Sequence, residues 1–191
     1  MIEYLTIKNF LSEDECNEIL NYSLKSLKLH NAVVGSSNQL NEDLRKSSIS
    51  FTNYDDVFPN IKLKLLNKLS ELIKIKGYKI IFSNNVYQFT KYEKGQYYEW
   101  HVDARDGGTF ESRYCSVVIQ LNDSYKGGDL QMIQMNGDSE EIITFEKGKG
   151  NLFVFLSRIM HRVNEVTEGT RYSLVCWFEL QEDKNAKKTL I

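Results

Sequence analysis

Proline is almost absent from this sequence, since Pro59 is the only one in 191 residues. An average protein contains about 5% proline, so collagen-like repeats and proline-rich recognition segments are excluded. The loops must instead be shaped by glycine and asparagine. We expect Pro59 itself to lie in the first turn of a helix, where a missing N–H group costs little.

Cysteine is scarce as well. Cys16, Cys115 and Cys176 lie far apart and form no CxxC motif, which argues against a disulfide framework or a zinc ribbon. Reduced thiols in a cytoplasmic protein are the simplest interpretation. The first residues have no basic segment before an apolar run, so we expect no secretory signal. No window approaches the roughly 18 consecutive apolar residues of a membrane span, so no membrane partner is expected.

A strong excess of either charge is also missing. Lysine and arginine total 24 against 26 aspartates and glutamates, which gives a formal net charge of −2. This balance lacks the basic surplus of nucleic-acid-binding proteins, so no nucleic-acid partner is expected. The length and the hydrophobic fraction of 41% suit a single folded domain over residues 1–191. No feature assigns an oligomeric state.

The first half of the chain predicts helices. After a first strand at 2–7, Ser12 and Glu15 have the spacing of a capping box. We expect a loop at 30–44 and a half-buried strand at 45–52. Apolar residues recur at helical spacing behind the capping box: Cys16, Ile19, Leu20, Leu24 and Leu27.

A second helix is expected behind Pro59, with Gly77 at its end. Its apolar face is predicted to contain six residues: Ile61, Leu65, Leu66, Leu69, Leu72 and Ile73. We therefore assign residues 1–78 to helical support and residues 79–181 to a core made of strands.

The core segment contains short runs rich in Val, Ile, Tyr and Phe, separated by Gly, Asn and Asp. Runs of this kind at near-regular spacing predict a β-sandwich or small barrel. Helices followed by strands indicate an α+β, mainly β, fold. The expected strands lie at 79–89, 114–121, 130–134, 141–145, 151–156 and 171–181.

Two of the three histidines are candidate metal ligands. His101 and Asp103 are two residues apart, which on a strand places both on one face. His161 follows a predicted strand, whereas His30 is expected at the surface. Two imidazoles and one carboxylate are the ligand set of non-heme Fe(II) oxygenases. Zinc can use similar ligands, and a surface ion pair between His101 and Asp103 is the simpler alternative.

Arg171 begins the last predicted strand, and Ser173 lies two residues later on the same face. An arginine that faces into a barrel needs an anion, and a guanidinium beside a hydroxyl suits a carboxylate. With Fe(II) and Asp103, Arg171 leaves two positive charges, which a dianionic 2-oxoacid would cancel. A cross-strand ion pair with a glutamate is the alternative for Arg171.

The chain also resembles a known family. The segment 92–103, YEKGQYYEWHVD, looks like the iron-binding segment of prolyl-4-hydroxylase-type 2-oxoglutarate/Fe(II)-dependent dioxygenases. The segment 127–130 resembles the turn between their two ligand segments. The segment 150–173 is similar to their second ligand strand and 2-oxoglutarate clamp. Trp177 stands where related prolyl hydroxylases place a tryptophan, and the likeness extends over about 81–178.

The resemblance implies a double-stranded β-helix, or jelly-roll, core backed by the N-terminal helices. It implies Fe(II) ligands and catalytic residues at His101, Asp103 and His161. It implies 2-oxoglutarate contacts at Arg171, Ser173, Tyr92 and Gln120, although Gln120 departs from the tyrosine that many prolyl hydroxylases have there. Substrate contacts are expected at Tyr98, Arg113 and Trp177.

The activity implied is hydroxylation that consumes 2-oxoglutarate and O2 and releases succinate and CO2, with ascorbate as a candidate reductant. The expected target is a prolyl residue in a peptide or protein. The motifs determine the oxidant and not the substrate, so a free amino acid or another small molecule stays open. A non-catalytic jelly-roll binding module and a zinc hydrolase are the competing interpretations. Substrate contacts are expected chiefly from the loops at 30–44 and 106–112.

Overall fold

The computed structural model describes residues 4–33 and 41–184, which form two helices and fifteen strands. The expected loop at 30–44 and the expected strand at 2–7 therefore lie partly outside the described residues. In chain order the elements are β1 (Tyr4–Ile7), α1 (Glu13–Ser26), β2 (His30–Asn31), β3 (Arg45–Lys46), β4 (Ser48–Thr52), α2 (Pro59–Leu72), β5 (Tyr78–Phe82), β6 (Tyr87–Tyr92), β7 (Tyr97–His101), β8 (Arg113–Gln120), β9 (Tyr125–Gly127), β10 (Leu130–Asn136), β11 (Ser139–Thr144), β12 (Leu152–Leu156), β13 (His161–Val163), β14 (Val166–Gly169) and β15 (Arg171–Glu182).

Helix α1 begins as its sequence predicts. The Ser12 hydroxyl accepts a hydrogen bond from the Glu15 backbone N–H at 3.1 Å, and the Glu15 carboxylate accepts one from the Ser12 N–H at 2.8 Å. This reciprocal pair satisfies two N–H groups that a helix start leaves without partners. Cys16 and Ile19 on this helix are buried, whereas 46% of the Leu24 surface is exposed.

Helix α2 begins at Pro59, as expected from the missing N–H of proline. Ile61, Leu65 and Leu69 form its buried face. The predicted end at Gly77 is wrong. The helix ends at Leu72 because Ile73 takes extended backbone angles, with φ −108° and ψ 95°. Gly77, with φ +81°, instead precedes β5 in a turn.

The strands form two main antiparallel sheets. The large sheet has the order β1-β12-β8-β15-β6-β4-β2, with β5 also paired to β15, and the small sheet has the order β11-β10-β13-β7-β3. Successive side chains of β8 point to opposite faces of the large sheet and so belong to two hydrophobic clusters. Val117 and Ile119 pack with the helices, whereas Val118 packs with residues of the small sheet. The mainly β jelly-roll core backed by N-terminal helices is thereby confirmed.

Two predicted strands are each divided in the structure. The predicted strand at 45–52 becomes β3, which pairs with β7 in the small sheet, and β4, which pairs with β6 in the large sheet. The predicted strand at 79–89 is broken by Asn84 and Asn85, whose φ values are 57° and 51°. Asparagine adopts this left-handed conformation more readily than most residues, so the chain turns there.

The N-terminal part also supplies strands. β1 pairs with β12 and β4 with β6, both in the large sheet. One domain over 1–191, with a boundary near 78, stays a prediction. All three cysteines are free and buried, and a cytoplasmic location also stays a prediction. Neither helix in the described part of the chain has the length and hydropathy needed to cross a membrane.

A buried glycine joins α1 to the large sheet. Gly150 has φ +81°, and a Cβ atom there would lie 2.1 Å from the backbone oxygen of Leu11. We expect Gly150→Ala to lower the free energy of unfolding by about 2–4 kcal/mol, because strain and overpacking act together. Gly137 has φ +64° but open space around it, so Gly137→Ala should cost only about 1 kcal/mol. Urea unfolding measures both, and equal costs would contradict the steric argument.

Candidate metal centre

Two histidines meet across neighbouring strands. His101 ends β7 and His161 begins β13, and the two are directly opposite in the antiparallel pair. Directly opposite side chains on one face of a sheet are neighbours, and the two ring centroids lie 4.1 Å apart. The pairing therefore joins two ligand candidates that are sixty positions apart in the chain.

Asp103 reaches these imidazoles by a different route from the one predicted. Asp103 was expected on one strand with His101, but β7 ends at His101. The backbone N–H groups of Asp103 and Ala104 both donate to the Ser157 carbonyl, at 2.9 and 3.0 Å. These two bonds fix the chain just beyond the strand, and the carboxylate then faces both histidines.

The three side chains offer ligand atoms to one point. Asp103 Oδ1 lies 3.7 Å from His101 Nε2, and Asp103 Oδ2 lies 3.6 Å from His161 Nε2. One ligand atom from each of the three lies within 4.8 Å of the others. Two imidazoles and a carboxylate at this spacing suit a first-row divalent metal and leave further positions open for other ligands.

The backbone fixes which imidazole nitrogen is available. His101 Nδ1 lies 2.8 Å from the Glu99 carbonyl, and His161 Nδ1 lies 2.9 Å from the Ile159 carbonyl. Because a carbonyl only accepts, each Nδ1 donates its proton, and each Nε2 keeps a lone pair for a metal. These carbonyls are the hydrogen-bond partners that metal-binding histidines need.

The Asp103 carboxylate is oriented by two donors. The Ser116 hydroxyl donates to Oδ2 at 2.6 Å, and the Trp177 indole N–H donates to the same oxygen at 2.9 Å. Oδ1 is the oxygen that faces His101. Trp177 was predicted as a substrate contact, and the structure gives it this additional positioning contact.

Burial and neighbouring charge set the protonation of the ligands. Burial lowers the pKa of His101, and a charge on His161 would lower it further. Burial alone would raise the pKa of Asp103, but the two histidines and the donors Ser116 and Trp177 hold that pKa below its usual value. A neutral imidazole and an ionised carboxylate are the forms that bind metal.

Loss of the Ser116 hydroxyl should loosen the site without removing a ligand. We expect Ser116→Ala to weaken Fe(II) binding about 10- to 100-fold, the usual cost of losing an outer hydrogen-bond partner. Ser23 is a matched control, because it is equally buried and its hydroxyl contacts Tyr54 and the Ile19 carbonyl. Anaerobic Fe(II) titration measures the effect, and equal affinities for Ser116→Ala and Ser23→Ala would contradict it.

Tyr98 supports the His101 ring. The two rings are stacked with centroids 3.5 Å apart and an interplanar angle of 14°. The Arg45 guanidinium lies over the Tyr98 ring, 4.3 Å from its centroid. Sequence reasoning missed Arg45, because only the pairing of β3 with β7 brings it to this position.

Arg171 is a buried cation with spare donors. It is 1% exposed, and its Nη1 donates to the Ser173 hydroxyl at 3.0 Å. Nε and Nη2 are buried and have no hydrogen-bond partner among the described residues. The guanidinium also lies 5.3 Å from the ring centroid of Tyr92, its cross-strand partner. No ion pair between Arg171 and a glutamate occurs among residues 4–33 and 41–184. Two free donors of this kind fit a carboxylate.

A glycine turn passes close to Arg171. A Cβ atom on Gly128 would lie 3.2 Å from Arg171 Cδ and 2.9 Å from a Val166 methyl carbon. Gly128 also has φ +61°, which suits glycine. The turn at 127–130 therefore packs directly against the Arg171 side chain.

Gln120 lies away from these free donors. It is 2% exposed and faces Ser173 across the sheet, but its amide donates to the Asn122 carbonyl at 3.0 Å. It is not part of the cavity lining that contains Arg171. A contact between Gln120 and a cosubstrate stays a prediction.

One cavity of about 260 Å³ unites these groups. We call it the triad cavity, and its lining includes His101, Asp103, His161, Tyr92, Tyr98, Trp177 and three arginines, Arg45, Arg113 and Arg171. The Arg113 guanidinium lies 3.9 Å from the Phe110 ring centroid and 3.7 Å from that of Trp177. The candidate metal ligands and the arginine with two unpartnered donors therefore line the same cavity.

Comparisons with known proteins agree with this chemistry. A PKHD-type hydroxylase of Rippkaea orientalis is 39% identical over 95 residues, which is 48% of this chain and 41% of that relative. A Pseudomonas putida prolyl-4-hydroxylase has the same fold, with a TM-score of 0.70 and 22% identity over 93% of this chain and 92% of its own. A prolyl hydroxylase of Trichoplax adhaerens, solved with a hypoxia inducible factor peptide fragment, matches with a TM-score of 0.73 and 20% identity. That match covers 99% of this chain and 87% of the other.

The family assignment rests on the part of the chain that carries the site. The model of the 2OG-Fe(II) oxygenase superfamily matches residues 87–179, which include the three ligand candidates and Arg171. The unpartnered Arg171 donors fit the carboxylate of 2-oxoglutarate, and the triad fits Fe(II). The part of the chain that carries the site therefore resembles the 2OG-Fe(II) oxygenase superfamily, and the chain is similar to PKHD-type hydroxylases over about half of its length.

Proposed function

We propose that this chain is a 2-oxoglutarate- and O2-dependent Fe(II) hydroxylase of prolyl residues in a peptide or protein. One observation carries the proposal: a His-Asp-His triad and an arginine with two free buried donors line the same cavity. A zinc hydrolase requires the metal ligands but does not require a buried carboxylate site beside them. A 2-oxoacid cosubstrate needs both.

The chain's own residues have separate tasks in this reaction. When bound, Fe(II) and 2-oxoglutarate supply the oxidation, in which O2 is consumed, succinate and CO2 are released and a C–H bond becomes C–OH. His101, Asp103 and His161 would hold the metal, and Arg171 with Ser173 would hold the far carboxylate of the cosubstrate. Val118, Leu130, Val163 and Val175 form an apolar part of the lining that limits access of water.

The prolyl target is supported by two similar structures and by the cavity. One similar protein is a prolyl-4-hydroxylase, and another was solved with a peptide fragment. Phe51 and Phe110 line the triad cavity here and are 56% and 38% exposed. Exposed aromatic rings suit the apolar ring of proline. Tyr98, Arg113 and Trp177 are the proposed substrate contacts.

The test is succinate formation together with mass spectrometry of a proline-containing peptide library. We expect succinate to rise with the correct peptide and that peptide to gain one oxygen atom. The anaerobic complex with Fe(II) and 2-oxoglutarate should show a charge-transfer absorption band that decays when O2 is admitted. A band that persists in air would favour a binding module instead. Oxygen on a residue other than proline would keep the oxygenase and overturn the prolyl target.

A further inference from the structure

The positive charge in the triad cavity exceeds the negative charge of Asp103 and the proposed cofactors. The described residues that line the cavity include three arginines and a single acidic residue, Asp103. Fe(II) and dianionic 2-oxoglutarate cancel each other, so two positive charges remain after Asp103 is counted. Unpaired charge in a largely apolar cavity is costly. A further anion is therefore expected when the site is full.

Once Arg171 is assigned to the cosubstrate, Arg45 is the arginine of the cavity with the least compensation by acidic groups. It is 7% exposed, and its Nε donates to the Ser47 hydroxyl at 2.8 Å. Its Nη2 is buried and has no hydrogen-bond partner among the described residues. No acidic side chain of residues 4–33 and 41–184 forms an ion pair with it. Ile49 and Phe51, which follow it on β4, also line the cavity and provide no counter-charge.

The Arg45 side chain is held in place rather than free to leave. Its guanidinium lies over Tyr98, which is itself stacked on His101. A cation held on an aromatic face keeps its N–H groups in the ring-parallel plane. Arg45 therefore presents a fixed donor beside the metal site, on the His101 side.

Arg113 is already partly compensated. The carboxylates of Asp103 and Glu179 stabilise its positive charge. Glu179 on β15 lies directly opposite Arg113 on β8. Its guanidinium lies 3.9 and 3.7 Å from the ring centroids of Phe110 and Trp177. Its Nε, like Nη2 of Arg45, is buried without a hydrogen-bond partner among the described residues, so the nearby carboxylates are what distinguish the two arginines. Arg45 is consequently the stronger candidate for an unoccupied anion contact.

We propose that Arg45 forms a carboxylate-binding subsite for the primary substrate, which would carry an acidic group beside the carbon that is hydroxylated. The group is an Asp or Glu side chain next to the target residue of a peptide, or the α-carboxylate of a free amino acid. This inference rests on the proposed hydroxylase function. It assigns Arg45 a role separate from that of Arg171, whose free donors serve the cosubstrate.

The test compares isosteric ligands that differ in charge. Blocked peptides with one proline are prepared in pairs, with Glu or Gln at each flanking position, and L-proline is paired with L-prolinamide. Binding to the complex with Fe(II) and 2-oxoglutarate is measured anaerobically by calorimetry, and succinate formation is measured in air. We expect the carboxylate member of one pair to bind about 10- to 100-fold more tightly, as one charged hydrogen bond allows.

The variants Arg45→Gln and Lys46→Gln then identify the subsite. Lys46 is the neighbouring cation on β3, exposed to solvent, and its loss should leave the preference intact. Arg45→Gln should remove the preference, and Arg45→Lys should keep part of it. If the Glu peptide binds more tightly than its Gln partner, the subsite binds a peptide carboxylate. If L-proline binds more tightly than L-prolinamide, the subsite binds the carboxylate of a free amino acid.

Two results would overturn the subsite while leaving the hydroxylase intact. One is succinate formation by the wild type with no preference for any carboxylate member. The other is a preference that survives in Arg45→Gln. Absence of succinate under every condition would overturn the proposed function instead, and the binding comparison would still test Arg45. The wild-type comparison needs no variant, so it stands even if Arg45→Gln does not fold.

Discussion

Asp103→Ala is expected to abolish Fe(II) binding and succinate formation together. Within residues 4–33 and 41–184, Asp103 supplies the only carboxylate that lines the triad cavity, and without it two neutral imidazoles remain. Loss of an outer hydrogen-bond partner already costs about 10- to 100-fold in metal affinity, so loss of the ligand itself should cost more than 100-fold. The measurement is anaerobic Fe(II) titration followed by a succinate assay.

The matched control for this variant is Asp106→Ala. Asp106 is three residues away and exposed, and it pairs with Arg158 at the surface. Its loss removes an equal charge from the same segment but no atom from the cavity. Fe(II) affinity should therefore stay within about twofold of the wild type, as exposed ion pairs contribute little. Equal losses in the two variants would show that local charge, and not ligation, governs metal binding.

Folding must be followed in parallel, because Asp103 also has a structural contact. Its Oδ2 accepts from Ser116 and from Trp177. Ser116 has a second partner in the Ser157 hydroxyl at 2.9 Å, whereas the Trp177 indole N–H would lose its hydrogen-bond acceptor. We expect the metal-free variant to stay folded with a small loss of stability, about 1–2 kcal/mol. A folded variant that still binds Fe(II) would contradict the assignment of Asp103 as a ligand.

Local sequence signals predicted local structure well. The capping box at Ser12 and Glu15 and the position of Pro59 depend only on residues within one helical turn, and both helix starts follow from them. The end of α2 depends instead on where Ile73 leaves the helix. Gly77 was the nearest sequence signal, and it marks the following turn.

The limits of the strands were harder to predict from the sequence because they depend on pairing with distant segments. The segment at 45–52 alternates like one strand, yet β3 and β4 pair in different sheets. Nothing in eight residues records which sheet each half will join. The same change of sheet brings Arg45 into the triad cavity, which explains why the sequence did not reveal it.

The metal site was predicted from spacing, but its support was not. Asp103 was identified by its two-residue spacing from His101, and the two histidines stood out because the chain contains only three. Ser116 and Trp177, which orient Asp103, are 13 and 74 residues away from it. Their contacts follow from the β8–β15 pairing, in which Trp177 lies opposite Ser116. Register of this kind is set by the whole sheet.

Arg171→Met is expected to have the second largest effect, on cosubstrate binding. Two buried donors of Arg171 have no partner among the described residues, and a bound carboxylate would satisfy them. Truncating one partner of a buried, hydrogen-bonded charge pair costs about 2–5 kcal/mol, which corresponds to roughly 30- to 5,000-fold weaker 2-oxoglutarate binding. The KM for 2-oxoglutarate should rise accordingly, whereas Fe(II) affinity in its absence should not change.

The same substitution should leave the cofactor-free protein as stable as the wild type or make it more stable. An unpaired buried charge carries a desolvation cost, and an apolar side chain of similar length removes that cost. Arg105→Met is the control, since Arg105 is exposed and should change neither quantity. Urea unfolding of the metal-free proteins and 2-oxoglutarate titration of the Fe(II) forms measure the two effects. A large loss of stability with unchanged 2-oxoglutarate affinity would mean that Arg171 supports the fold and not the cosubstrate.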